Sequence, residues 1–179
     1  MKVFCISGKA GAGKDTCAEY LKLVLEMTGN RVLVTHYADL VKYIATNFFE
    51  WDGQKDENGR SLLQKIGTDI GRKNDEDIWV DFIIGVLKIF QPPYDYVLIP
   101  DCRFPNEIEK IKLAGFPTVH VRVDRPSLQS ALTEEQQKHA SEVSLDNFTP
   151  DIMIKNDGSI NDLISSICKD IIIEIETLF

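Results

Sequence analysis

Two hydrophobic rhythms alternate along this chain, and the switches between them set its elements. Residues 2–7 are nearly all apolar, the pattern of a parallel strand buried on both faces. Over residues 14–28, Cys17, Leu21, Val24 and Leu25 form one helical stripe, closed by Gly29 and Asn30. Residues 31–36 read as a second strand, and the strand–helix–strand order predicts parallel pairing across a helical crossover. Asp39 can cap or charge the start of the next helix. Residues 50–60 are polar, contain Gly53 and Gly59, and predict a mobile loop. Residues 60–72 carry Leu62, Leu63, Ile66 and Ile70 at helical spacing, and the acids at 75–77 open a further helix that runs to Leu87. After Pro92 and Pro93, residues 96–100 form a third buried strand. A short helix over 106–114 stops at Gly115, and 117–123 alternate as a fourth strand. The polar run 127–144 predicts a helical lid, 151–154 a short fifth strand, and 160–177 a last helix. The sum is an α/β chain in three layers, a five-stranded parallel sheet flanked by helices. It reads as one domain: a core of 1–36, 94–123 and 150–179, a helical region over about 37–90, and the lid over about 124–146.

The first strand runs into Gly8-Lys9-Ala10-Gly11-Ala12-Gly13-Lys14-Asp15-Thr16, which opens the first helix. Strand, glycine-rich turn and helix form the context of a phosphate-binding loop. Gly8, Gly11 and Gly13 let backbone N–H groups approach phosphate oxygens, and the helix start adds its positive dipole end. Lys14 can reach the outer phosphates of a nucleoside triphosphate. The usual Ser or Thr is displaced by one position, so the Mg2+-facing role falls to Asp15 through a water or to Thr16. Asp101 ends an apolar strand, the place of an acid that holds Mg2+ water, and Arg103 would point into the same cleft.

Other positions keep two readings. Lys42 could meet a substrate phosphate or solvent. Gln64, Thr68 and Arg72 recur every four residues, so one face offers an amide, a hydroxyl and a guanidinium. Trp79 reads as core or as an aromatic wall beside a base. Lys138, His139, Ser141 and Glu142 could face a ligand from the lid, and the turn at 156–158 could carry an adenine. His120 reads as a packed strand residue.

Composition narrows the classes. Hydrophobic residues make up 44% of the 179, enough for a full core. The net charge of −8 argues against a nucleic-acid-coating protein. No apolar run reaches membrane-spanning length, and the N-terminus enters the first strand without a secretory signal. Cys5, Cys17, Cys102 and Cys168 are scattered, as reduced thiols of a cytoplasmic protein would be. Nothing here sets the oligomeric state, and a homodimer stays open. An Asn-Lys-x-Asp guanine motif, which a GTPase switch would want, is not found.

Taken together, these motifs resemble the P-loop monophosphate kinases, above all the phage-type deoxynucleoside monophosphate kinases. The resemblance rests on Gly13 to Thr16, Ala38 to Lys42, Leu63 to Asp69 ahead of Arg72 and Trp79, Asp101 to Glu107, and His139 to Glu142. It covers most of the chain. It implies a P-loop NTPase fold, with ATP and Mg2+ as donor and a deoxynucleoside monophosphate as acceptor. The ATP side would be Gly11, Ala12, Gly13, Lys14, Asp15, Thr16 and Arg125, and Mg2+ would be held by Asp15, Thr16 and Asp101, partly through water. The acceptor side would be Lys9, Asp39, Lys42, Gln64, Arg72, Trp79, Arg103, Lys138, Ser141 and Glu142. Lys14, Asp101 and Arg103 would carry the catalysis. The partners implied are small nucleotides. A phosphomevalonate kinase and a non-catalytic nucleotide sensor remain as alternatives.

Overall fold

A computed structural model describes residues 1–172. Its elements follow the sequence pattern closely: β1 (Lys2–Ser7), α1 (Lys14–Met27), β2 (Val32–Val34), α2 (Ala38–Phe48), α3 (Glu57–Gln64), α4 (Ile78–Phe90), β3 (Tyr96–Cys102), α5 (Pro105–Leu113), β4 (Thr118–Asp124), α6 (Glu134–Lys138), α7 (Ala140–Val143), β5 (Ile152–Lys155) and α8 (Ile160–Ser166). All five strands are parallel, in the order β2-β3-β1-β4-β5.

The central strand explains the layers. Its alternate residues Phe4 and Ile6 pack with Cys17, Leu21 and Leu25 of α1 and Leu163 of α8. Val3 and Cys5 face the other way, into a core with Val41 of α2, Ile83 and Leu87 of α4, and Ile108 of α5. Side-chain alternation along a strand thus divides one sheet between two helical layers. The chain fills one edge of the sheet before crossing β1 to build the other, so a crevice opens at the carboxyl end of β1. A register shift between Cys5 and Ser7 sets Ser7 beside Cys102, which puts the glycine-rich turn next to the end of β3.

Three expectations change. The loop expected over 50–60 ends early, because Asp56 accepts from the Gly59 N–H at 2.7 Å and caps α3 at Glu57. Helix α3 then continues as a π-helical segment, Lys65–Arg72, with Trp79 packed so close to Gly71 that a Cβ there would collide with the indole. The lid is not one helix. Residues 134–138 and 140–143 form two short helices broken at His139, whose ψ of 145° is extended. The last helix is described as α8 and a π-helical turn, Ile167–Ile172, and the remainder of the 160–177 expectation lies outside the described residues. The four cysteines are free, and no helix among the described residues is long and apolar enough to cross a membrane.

Candidate active site

The carboxyl ends of β1 and β3 bring the loop and Asp101 to one edge. Gly8, Gly11 and Gly13 take φ of 148°, 83° and 94°, the left-handed side that only glycine adopts freely. A Cβ on Gly8 would run into the Val123 carbonyl. The loop stands between two cavities. The larger, about 410 Å³, is bordered by Ala10, Gly11, Lys14 and Asp15 on its loop side. The smaller, about 220 Å³, is bordered by Lys9, Ala10 and Ala12 together with Arg125 and Leu128. Leu132 and Glu142 border both.

Lys14 is 8% exposed and donates to the carbonyls of Gly8 and Lys9 at 2.9 and 3.0 Å. Burial, helped by repulsion from Arg103, lowers its pKa to about 8. Asp15 is exposed, and the His36 imidazole 3.8 Å away holds its carboxyl below the usual range. His36 is raised in turn, first by Asp15, and also contacts Asp39 at 3.4 Å. Asp39 accepts from Lys42 at 3.0 Å.

Asp101 borders the larger cavity, and its oxygens also anchor α2. Oδ1 accepts from the Tyr37 N–H at 3.0 Å and Oδ2 from the Ala38 N–H at 2.9 Å. Burial raises its pKa, and those two bonds oppose the rise. Asp101 therefore caps the start of α2 from a neighbouring strand. This arises because β2 ends beside β3 and delivers the start of α2 onto the strand-end acid.

Arg103 donates to Glu142 Oε1 at 2.6 Å, and Glu142 Oε2 accepts from the Ala10 N–H at 3.2 Å. Glu142 is thus matched to cations and amides of the site. Glu142 borders the larger cavity, where its carboxylate is held by the Arg103 guanidinium and the Ala10 N–H. Arg72 lies 3.8 Å over the Phe104 ring, donates to Asn106 at 2.6 Å and stands 3.6 Å from Glu107. Glu107 is 2% exposed and accepts from the N–H groups of Arg103 and Phe104 at 2.7 and 3.1 Å, yet burial raises its pKa to about 7.

Gln64, Thr68 and Arg72, the every-four stripe, all border the larger cavity, and Arg60, one step earlier, borders it too. Trp79 is 5% exposed, donates to the Gly67 carbonyl at 2.7 Å and also borders it, so it is core and wall at once. Ser141 borders the cavity and bonds its hydroxyl to His139 at 2.9 Å.

Of the residues expected on the acceptor side, Asp39, Lys9 and Lys138 do not border the larger cavity. Lys9 turns away, onto the Glu142 carbonyl at 2.6 Å and Asp146 at 2.7 Å, and borders only the smaller cavity of these two. The Lys138 side chain is 81% exposed beside Glu134, because α6 presents Gln136 inward, toward the Glu57 carbonyl and the Ser61 hydroxyl. Sequence reasoning missed His36, Lys55 and Arg60, and it saw Asn156 only as part of the 156–158 turn. His36 had a usable signal, since it follows β2 at the edge where ligands bind. Asn156 had none, because its bond to the Ala12 carbonyl, 2.8 Å, joins residues 144 apart.

A family model for deoxynucleotide monophosphate kinases matches residues 24–167. The deoxynucleotide monophosphate kinase of Enterobacteria phage T4 is 36% identical over 110 residues, covering 60% of this chain and 43% of the phage protein. That of Escherichia phage RB69 is 32% identical over 112 residues, covering 62% and 43%. The matched stretch is thus less than half the length of either phage protein. The APS kinase of Mycobacterium tuberculosis, solved with AMPPNP and APS, superposes with a TM-score of 0.51 at 14% identity, covering 99% of this chain and 96% of that one. That likeness is one of fold.

Proposed function

The chain belongs to the deoxynucleotide monophosphate kinase family, and from that membership we propose that it transfers the γ-phosphoryl group of ATP to the phosphate of a deoxynucleoside monophosphate. The products are the deoxynucleoside diphosphate and ADP. The observation that carries this reading is the position of the loop between two cavities, with Lys14, Asp101 and Arg103 together on the border of the larger one. Phosphoryl transfer asks the protein mainly for positioning and charge neutralisation.

In this reading Lys14 leaves its two carbonyls for the β- and γ-phosphates. Gly11 to Thr16 seat the triphosphate, with Arg125 on the side of the smaller cavity. Gln64, Thr68 and Trp79 face the base of the acceptor, and Lys42, Arg72 and Arg103 set the field around its phosphate. The acceptor phosphate oxygen is already a competent nucleophile, so the site needs no strong general base. Asp15 and Asp101 border one cavity and offer oxygen donors of the kind Mg2+ takes, with Thr16 adjacent. When bound, Mg2+ would neutralise charge on the β- and γ-phosphates. Closure of residues 124–146 would exclude water and suppress ATP hydrolysis.

A coupled assay with ATP against a panel of deoxy and ribo monophosphates and phosphomevalonate tests the proposal. Turnover of one or more deoxynucleoside monophosphates is expected. Turnover of phosphomevalonate alone would replace the acceptor class, and ATP binding without any turnover would leave a nucleotide sensor.

A further inference from the structure

The cations bordering the larger cavity differ in how far their charge is already matched. Lys42 is 3.0 Å from Asp39, Arg72 is 3.6 Å from Glu107, and Arg103 is 2.6 Å from Glu142. Each of these three cations already faces a carboxylate. Charge that is offset in this way adds less to the attraction of a dianionic monophosphate than an unpaired cation does. Among the described residues, Lys55 and Arg60 border the same cavity with no carboxylate in ion-pair range. Arg60 uses only Nε, donating to the Lys55 carbonyl at 2.9 Å, so its terminal guanidinium nitrogens are open.

The turn that carries them is built, not loose. The Trp51 indole donates to the Gln54 carbonyl at 2.9 Å, and Asp52 accepts from the Gln54 N–H at 2.9 Å. Gly59 is buried so tightly under this turn that a Cβ would collide with the Gln54 carbonyl. The Asp56 cap then starts α3, and the bond between Arg60 and Lys55 ties the two cationic residues to each other. Gln136 of α6 reaches across to Glu57 and Ser61, so the lid segment rests on the same piece of chain. Lys55 also lies near the phosphate loop. After the larger effects of His36 and Lys14, its charge helps hold Asp15 below the usual carboxylate range.

We propose that Lys55, on the capped turn ahead of α3, and Arg60, in the first turn of that helix, clamp the phosphate of the acceptor against the end of the phosphate loop. The inference rests on the kinase reading and adds two substrate-contacting residues to it. An unmatched lysine and an open guanidinium supply point-charge attraction and a forked pair of donors, the combination that suits phosphate oxygens.

The test uses the full chain with Lys55→Ala, Arg60→Ala, Lys55→Arg and, as a distant surface control, Lys88→Ala. Acceptor KM and kcat are measured with saturating MgATP, and binding of ATP, dGMP and dTMP is titrated directly by calorimetry. Each alanine variant at 55 and 60 is expected to weaken the acceptor about tenfold, with ATP affinity moved less than about twofold. Lys55→Arg should recover most of the loss, and Lys88→Ala should match wild type. Unchanged acceptor affinity, or an equal loss for ATP, overturns the clamp. A wild-type chain that binds a monophosphate without phosphorylating it would overturn the kinase reading alone, because the titrations still decide the clamp. A chain that binds no monophosphate overturns both.

Discussion

The Arg103 guanidinium donates to Glu142 at 2.6 Å, and the other oxygen of that carboxylate takes the Ala10 N–H at 3.2 Å. One side chain on α7 therefore joins the phosphate loop to the arginine beyond β3. The two donors it occupies, a loop amide and a guanidinium, are those a phosphate oxygen would seek. Glu142→Gln should lower ligand-free stability by about 1–3 kcal/mol, since a charge-assisted bond is lost. ATP should then raise the melting temperature more in the variant than in wild type, because a competing anion has gone. Equal ATP shifts in thermal melts would show that carboxylate and phosphate do not overlap.

Lys14 bonds only to carbonyls of its own loop, so its removal should spare the fold. Lys14→Ala should cut turnover by about 10²-fold or more, the scale of losing one preorganised charge. The coupled assay and a circular dichroism melt check the two halves. Retained turnover would remove Lys14 from the mechanism.

Glu107 is buried against two N–H donors and a guanidinium, and burial raises its pKa from 4.5 to about 7. The folded chain therefore binds more proton here than the unfolded chain between those values. Its contribution to stability is full below about pH 4.5 and is lost as pH rises through about 7. Denaturant titrations from pH 5 to 8 should show wild type losing stability relative to Glu107→Gln as pH rises. A constant difference would mean that the carboxyl ionises with an ordinary pKa.

Gly8 and Gly29 both have positive φ, 148° and 85°, but only Gly8 has a carbonyl where a Cβ would sit. Gly29→Ala should cost about 1 kcal/mol of backbone strain alone. Gly8→Ala should cost more, about 2–3 kcal/mol, and should also weaken ATP binding. Urea unfolding of the two variants gives the comparison, and equal losses would show that the Val123 carbonyl moves aside.

The sequence was most informative where chemistry follows from local spacing. The apolar run before Gly8, the stripe of α1 and the acid ending β3 are each written within a few residues, and each stands where its pattern placed it. The repeat of Gln64, Thr68 and Arg72 named a true cavity wall, and the π-helical segment did not turn any of them away. The broken lid was illegible, because 127–144 carries no apolar stripe whose burial would decide its path.

What the sequence by itself determined was the layered α/β chain, the loop at Gly8 to Thr16 and the short menu of cations and acids around it. These depend on periodicity and turn chemistry, which neighbours in the chain fix. Only the tertiary structure decided which charges are matched. Lys9 meets Asp146 across 137 residues, and Arg103 meets Glu142 across 39. Such partners are chosen by the order in which strands cross in the sheet. That order matched Arg103 and Lys9 with carboxylates and left Lys55 and Arg60 without one among the described residues.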